Sequence, residues 1–523
     1  MNRLRCILIW LAAVLTVLTV LTLGGCANII NDGTRVSNQP PRVPHERDEY
    51  TDHQSLFFQI NRRPFSEKRQ MEDITSFMFF TELEGFEGRG YIALGESHRA
   101  DFELNVPAAQ HYTIGLRMQA EDSVITLTAD GAVQGAFYMK DADEFTEVFI
   151  HGIYLDVGIN RLALTQEKGS SFIDFLTVKD FELPDERFTV SAIPANRNAS
   201  GAVRMTMEYF GEIFGEKVLL AQHVTPGTNT EIGAVFSAAG RLPAVRFSDL
   251  MSYSRSFMGD KPANDDTDLA LEWAKAGGLV GYDWTWYSPI IEEGARSHYY
   301  AGASDFNLND AFTSAPVAAL SHEGVAGLFH AGTISRSCYE LILELDFMAE
   351  NLKRLRNENA VVLWRPLHQA GTRWFWWGNC EPESYIWLWR LMFERFGSYH
   401  GLDNLIWVWS GQDALYYPGD EYVDIIGEDI YNTDDVSNMP AFVNAGNYTR
   451  RNKFIAMTEC GLLPSPDLLN RDGAMWLWTA LYRGDFLIDG RGRLINSYNR
   501  QERLARAYNH ELTVTLDKLP QIG

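Results

Sequence analysis

Basic residues are scarce in this chain. Against 69 Asp and Glu stand only 45 Lys and Arg, a formal net charge of −24. Nucleic acid and anionic lipid both demand clustered cations, so the deficit argues against either as the principal partner. Cysteine is scarce too, with five in 523 residues. Beyond the N-terminal segment, Cys338, Cys380 and Cys460 are too few for a disulfide framework and lack the paired spacing of a zinc site. That leaves ordinary buried thiols, or a single Cys380–Cys460 bridge. No glycine-rich phosphate loop follows the first strand of the long C-terminal region, so dinucleotide binding has no support. What the chain does have is apolar content of 46%, aromatic content of 13% and 14 Trp. Such a composition excludes a disordered chain. Aromatic faces fill cores or stack on the apolar faces of sugars. The length exceeds one ordinary domain and suits two or three.

The opening stretch, "MNRLRCILIWLAAVLTVLTVLTLGGC", places Arg3 and Arg5 before an apolar run and small residues before a cysteine. This is the layout of a secretory signal. Its end, "LGGC", resembles the bacterial lipobox, which implies removal of residues 1–25 and lipid attachment to Cys26. A plain transmembrane anchor is the alternative, since the apolar run is nearly long enough to span. Either way the remainder is exported and held at a bacterial membrane or cell surface. Residues 26–70 then form the lipidated cysteine and a tether, whose "SNQPPRVPHERDEYTDHQ" is rich in Pro and charge.

From Met71 to Asp180 the pattern becomes short alternating runs: "RGYIALG", "ADFELNV", "HYTIGLRMQA", "SVITLTADG", "EFTEVFIHGIYL", "NRLALTQ" and "SFIDFLTV". Apolar residues at every second position predict strands with one buried face. About seven in such a span predict a β-sandwich over residues 71–183. The stretches "TELEG", "GYIALG", "VGINRLAL" and "FIDFLTV" resemble the sugar-binding sandwiches of carbohydrate-binding module families 6 and 35. That resemblance implies a structural Ca²⁺ held by Glu82, Glu84 and Asp174, carboxylate oxygens being what calcium prefers. Ordinary solvated charges are the alternative for the three acids.

After "LPDERFTV", strand-length apolar runs alternate with helical segments over residues 187–523. Eight candidate strands are "VLLAQH", "AVRFSDL", "GLVGYDW", "AVVLWRPLH", "LIWVWS", "DIIGEDIY", "KFIAMTEC" and "MWLWTALY". Between them lie helices such as "YELILELDFMAENLKRLR" and "ESYIWLWRLMFERFGSYH". Eight strands alternating with helices predict a (β/α)₈ TIM barrel, with an open doubly wound sheet as the alternative. Reacting groups in such a barrel sit at the C-terminal strand ends. Those ends carry His223, Asp249, Trp284, His368 with Gln369, Ser410, Tyr431, Glu459 and Trp478.

"FIAMTECG" is the sharpest of them, because it sets Glu459 at a strand mouth, where a buried carboxylate is costly unless it serves a purpose. Retaining glycoside hydrolysis needs a carboxylate nucleophile and a second carboxyl about 5 Å away as proton donor. The fourth strand should supply that donor, and the residue there is Gln369, 90 positions earlier (459 − 369). "VVLWRPLHQAGTRWFWWG", "LWRLMFERF", "NLIWVWS", "YYPGDEYVDIIGEDIY" and "FIAMTECG" together resemble glycoside hydrolase family 26, mostly endo-β-1,4-mannanases. The resemblance implies Glu459 as nucleophile, with Arg365 and His368 beside it and Tyr431 bonded to it. It also implies Trp284, Trp374 and Trp478 as substrate contacts, Trp374 and Trp478 as stacking platforms.

Two positions depart from that family. Its Arg-Pro-x-His-Glu motif ends here in Gln369, and Trp284 is followed by Thr285 where a His is common. An amide can donate a hydrogen bond to a glycosidic oxygen but cannot protonate it. Four explanations arise: a substitute acid in the following loop, Glu381 or Glu383; a leaving group needing no proton; a barrel turned to sugar capture; or an engineered residue, against which the intact export signal stands. The expectation is a monomeric surface lipoprotein that hydrolyses β-mannan or a related plant β-glycan with retention and needs no catalytic cofactor. A polysaccharide-capture protein that keeps the cleft without full catalysis is the alternative. A purely structural surface protein is disfavoured by the row of polar and aromatic strand ends.

Overall fold

The computed structural model describes residues 62–258, 266–431 and 433–521. The export signal, Cys26 and the tether as far as residue 61 lie outside the described residues.

Eight antiparallel strands form the N-terminal domain: β1 (Ser66–Gln70), β2 (Phe79–Phe80), β3 (Tyr91–Leu94), β4 (Arg99–Val106), β5 (Gln110–Ala129), β6 (Ala132–Met139), β7 (Ala142–Leu155) and β8 (Gly158–Asp180). Four of the expected strands merge into two. "HYTIGLRMQA" and "SVITLTADG" are both β5, and "NRLALTQ" and "SFIDFLTV" are both β8. The polar stretches that looked like turns are bends. Asp122 and Gly169 take φ of 41° and 68° there, and the β5–β8 register shifts between Glu121 and Val124. A Cβ on Gly169 would come 2.1 Å from the Glu121 carbonyl oxygen, so glycine alone fits this close bend. With both long strands bending together, the sheet folds over its own core of Ile92, Leu104, Ile114, Leu116, Leu164 and Leu176. The unexpected strands β1, β2 and β6 are short or carry broken alternation.

The C-terminal domain is a closed parallel barrel, which removes the open-sheet alternative. Its strands are β9 (Val218–His223), β10 (Val245–Asp249), β11 (Leu279–Trp284), β12 (Val362–Pro366), β13 (Leu405–Trp409), β14 (Ile425–Ile430), β15 (Phe454–Cys460) and β16 (Trp478–Leu481). Each pairs with the next, and β9 pairs with both β16 and β10 to close the ring. A short strand, β17 (Thr513–Val514), adds to β9 outside the ring. The barrel strands are apolar on both faces because helices cover the outside and side chains fill the inside. The longest outer helix, Arg336–Asn357, starts at Ser335, whose hydroxyl accepts the Cys338 N–H at 3.0 Å. It buries Leu341, Leu345, Met348, Leu352 and Leu355 at helical spacing. Cys338, Cys380 and Cys460 are buried free thiols, so the Cys380–Cys460 bridge is not formed.

The two domains touch. His111 Nε2 on β5 lies 3.4 Å from Asp472 Oδ1, and the Arg471 guanidinium lies 4.1 Å over the Tyr154 ring. Gly152 of β7 faces Met439, the first residue of the helix that follows β14.

Candidate active site

Arg365, next to last in β12, organises the barrel mouth. Its guanidinium is fully buried, and the alternation of neighbouring strands aims four polar groups at it. Nη1 donates to Asp283 Oδ1 of β11 at 2.9 Å and to Glu459 Oε1 of β15 at 2.6 Å. Nη2 donates to Asp429 Oδ2 of β14, and Nε to Ser410 Oγ, just past β13, at 2.7 Å. Sequence reasoning reached Arg365, Glu459 and Ser410, and the structure brings them together. It missed Asp283 and Asp429. The available signal was a carboxylate inside an apolar strand run, one in "LVGYDW" and two adjacent in "IIGEDI".

Glu459 receives donors on both oxygens, Arg365 on Oε1 and the Tyr431 hydroxyl on Oε2. Burial alone would raise its pKa, but the Arg365 guanidinium beside it brings it down to about 2. It is an ionised carboxylate at any physiological pH. Burial pushes His223 down to about 4 and His368 to about 3, so both imidazoles are neutral. Asp429 goes the other way. Burial outweighs Arg365 and lifts it to about 7.

Gln369 stands at the expected place. Its Nε2 donates to Asp429 Oδ2 at 2.8 Å and reaches Glu459 Oε2 at 3.5 Å. The segment carrying it is conformationally unusual, with Leu367, Gln369 and Arg373 all at φ near 55° (54°, 53° and 57°). Left-handed backbone at three non-glycine residues persists only where the surroundings enforce it. Here Gln369 N donates to Ser410 O at 2.8 Å, Tyr385 OH to Leu367 O at 2.9 Å and Trp377 Nε1 to His368 O at 2.9 Å. The "WFWW" run therefore braces the loop from behind.

The tryptophans divide. Trp374 is half-buried, with Tyr300 at 4.9 Å between ring centroids and itself 39% exposed. Trp284 and Trp478 present no face to solvent, which corrects their assignment as substrate contacts. Asp283 points inward to Arg365, so the alternation turns Trp284 outward, where it stacks on Trp286 at 4.0 Å and donates to Ser254 Oγ at 2.9 Å. Trp478 begins β16 rather than ending it, and packs at the opposite end of that strand near Phe247 and Phe210. The aromatic at the mouth is Tyr482, beside His223 and Tyr431.

Other candidates take supporting places. Asp249 accepts from Thr285 N at 3.0 Å and Met251 N at 2.8 Å, fixing the loop where the family's second histidine was expected. Glu381 and Glu383 flank the start of the helix Pro382–Glu394 on the barrel's side. Among the described residues neither bonds to the Arg365 cluster. In the β domain, Asp174 is fully buried and accepts from Arg117 and from the Glu87 N–H at 3.0 Å, while Glu82 and Glu84 are exposed. Among the described residues no three His, Cys, Asp or Glu are grouped to hold a metal ion.

Comparison with known proteins adds an independent line. The profile of Glycosyl hydrolase family 26 matches residues 195–518. A mannan endo-1,4-β-mannosidase of Thermothelomyces thermophilus is 29% identical over 449 residues, 84% of this chain and 87% of that protein. Mannan endo-1,4-β-mannosidase B of a Piromyces species is 26% identical, across 88% and 77% of the two chains. Among solved structures, the Podospora anserina GH26-CBM35 β-(1,4)-mannanase superposes with a TM-score of 0.56 at 28% identity, covering 87% of this chain and 99% of that one.

Proposed function

Because the chain belongs to glycosyl hydrolase family 26, we propose that it cleaves β-1,4-mannan or a closely related β-glycan with retention of configuration, using Glu459 as nucleophile. The observation that carries this reading is the state of Glu459. It is a buried, ionised carboxylate at the end of the seventh barrel strand, oriented by Arg365 and Tyr431 through opposite oxygens. Such a group is poised to attack an anomeric carbon and form a glycosyl-enzyme. Trp374 and Tyr300 supply ring faces for the sugar, and the β domain acts as a carbohydrate-binding module. Support for the module comes from the Podospora anserina GH26-CBM35 mannanase, 99% of which this chain covers. The N-terminal signal and Cys26 would tether the protein to a membrane by lipid, and it would act as a monomer.

One observation favours a second reading, a polysaccharide-capture protein. Gln369 fills the position from which a carboxylic acid would protonate the leaving sugar, and its amide cannot do so. A single experiment separates the two: incubate the mature protein with mannan and follow oligosaccharide release with the anomeric configuration of the first products. Release of β-configured products supports the hydrolase. Tight binding of mannan without release supports capture.

A further inference from the structure

The junction between the domains is built for close approach. A Cβ on Gly152 of β7 would come 2.8 Å from Met439 Cγ, and one on Gly135 of β6 would come 3.9 Å from Pro440 Cβ. Two positions without side chains thus seat the β6–β7 edge of the β domain against the helix Met439–Asn447.

Further along β6 stands Tyr138. Alternation turns it away from the core of the β domain, where its neighbour Phe137 lies. At 71% exposure, no Phe, Tyr or Trp among the described residues is more open to solvent. Burial nonetheless holds its hydroxyl above the ordinary tyrosine range, with the Glu428 carboxyl of β14 next in effect. A ring that is wetted yet surrounded by protein stands in a crevice, and this one lies between β6 and the barrel.

The barrel side of the crevice is polar. Asp429 turns inward to Arg365, so alternation turns Glu428 outward. Glu428 Oε1 is buried without a hydrogen-bond partner among the described residues, and the Tyr448 hydroxyl bonds the same carboxyl. That hydroxyl also accepts from Asn444 Nδ2 at 2.9 Å, and it lies within electrostatic reach of both Tyr138 and Asp413. Asp413 leads back to the cleft. Gly371, just past Gln369, packs so closely on it that a Cβ would come 2.6 Å from Asp413 Cβ. Gly371 N donates to Gly411 O at 2.8 Å, which holds the two loops together. A path of neighbouring groups therefore runs from Gln369 through Gly371, Asp413 and Tyr448 to Tyr138.

The chemistry along that path fits an uncharged, hydroxyl-rich chain. The carboxyls of Glu428 and Asp413 disfavour an anionic ligand. An open tyrosine ring offers a face to the apolar side of a sugar, while Asp413, Asn444 and the Tyr448 hydroxyl offer hydrogen bonds to sugar hydroxyls. We propose that Tyr138 is a sugar platform that the β domain lends to the barrel, so that a single glycan chain lies in the cleft at Glu459 and on Tyr138 together. The β domain then contributes to sugar binding by lengthening the cleft. Short oligosaccharides fill the barrel's part alone, and longer ones reach the ring.

This assignment rests on the reading of the barrel as a binder of β-mannan, and the test separates the two. Mannobiose and mannohexaose are titrated calorimetrically into the Glu459→Ala protein, which cannot consume them. The same titrations are made with Tyr138→Ala, Tyr138→Phe or Trp374→Ala added. Tyr138→Ala should weaken mannohexaose by about 10-fold, as deletion of a well-placed aromatic contact does, and mannobiose by less than about 2-fold. Tyr138→Phe keeps the ring and should stay within about 2-fold on both. Mannohexaose should bind as one chain per protein, and Trp374→Ala should weaken the same event. Mannohexaose affinity that Tyr138→Ala leaves unchanged, or lowers no more than that of mannobiose, overturns the assignment and leaves the mannan reading intact. Two independent mannohexaose sites, of which Tyr138→Ala removes one and Trp374→Ala the other, overturn the shared surface. No binding of either sugar by any of these proteins overturns the mannan reading and this assignment together.

Discussion

Each domain buries an arginine–aspartate contact, and the two differ in their balance. In the β domain, Arg117 meets Asp174, one cation to one anion, and the Glu87 N–H satisfies the same carboxylate. The barrel's Arg246 and Asp266 are likewise matched, both completely buried. At the barrel mouth, Arg365 alone faces three carboxylates. A matched pair needs nothing further and serves to hold structure. An unmatched set forces a proton to stay somewhere in a dry site and keeps one carboxylate ionised beside another that is not. Charge balance, more than burial, separates the chemical cluster from the structural ones.

The hardest test of that contrast removes one carboxylate from each kind of cluster. Glu459→Ala should reduce turnover by a factor on the order of 10⁴ or more, as nucleophile removal does elsewhere. Its melting temperature should stay close to wild type, because two carboxylates remain for Arg365. Asp174→Ala should do the reverse, leaving Arg117 half-buried without its anion and lowering the melting temperature of the β domain while barrel activity persists. Paired melting curves and mannan assays check both. An active Glu459→Ala protein would remove the distinction.

Next in size is removal of the cation. Arg365→Met strands three buried carboxylates, and breaking such a set costs about 3–5 kcal/mol. Denaturant titration should show most of that loss at neutral pH and less in acid, where the carboxyls protonate. Arg117 is 21% exposed on its side chain, so water can reach its partner's surroundings and Arg117→Met should cost clearly less.

A smaller effect tests the glutamine itself. Gln369→Glu puts a carboxyl where the amide has no proton to give, and mannan turnover should rise by a factor on the order of 10² or more. A gain of less than about 10-fold would mean that another group already supplies the proton. The pH profile sharpens the same point. Activity requires Glu459 ionised, which is lost only as pH falls through about 2, so the acid limb should lie near that pH.

How much was legible before any coordinates depended on which physical signal each residue carries. All eight barrel strands were readable, because strands buried on both faces are continuous apolar runs. Glu459 and Gln369 were readable because polar residues at the ends of such runs are costly and few, whereas Arg365 came only from the resemblance to glycoside hydrolase family 26. The tryptophans were not, because their roles turn on parity and on strand limits of one or two residues. One step of alternation separates Asp283, which faces the axis, from Trp284, which faces the helices. The eighth apolar run, "MWLWTALY", has no break to show that the strand itself begins at Trp478, which puts that residue at the base and leaves Tyr482 at the mouth. Asp429 escaped notice because nothing in "IIGEDI" says which of its two acids turns inward. In the β domain, "EDS" and "EKGS" have turn composition, but their backbone is a bend inside paired strands, and local composition cannot tell a bend from an end.

The smallest expected effect lies where the domains meet, at a cluster intermediate between the two kinds. Asp472 is buried, with His111 of the β domain 3.4 Å away and Arg471 donating to both of its oxygens. Burial would raise its pKa, yet His111 and Arg471 bring it down to about 2. A carboxyl lowered on folding stabilises the protein above its unfolded pKa and ceases to do so as pH falls through the folded one. Removing the partner from the β domain, by His111→Ala, should therefore cost no more than about 1 kcal/mol near pH 6, since the 3.4 Å contact is longer than a good hydrogen bond. The difference from wild type should shrink as pH falls from the ordinary aspartate range toward about 2, where the folded Asp472 takes up its proton. Mannan turnover should not change, since neither residue touches the Arg365 cluster. A His111→Ala penalty that grows with acid would mean the contact depends on a charged histidine more than on the ionised Asp472, and the interface would then need to be described from the β domain outward.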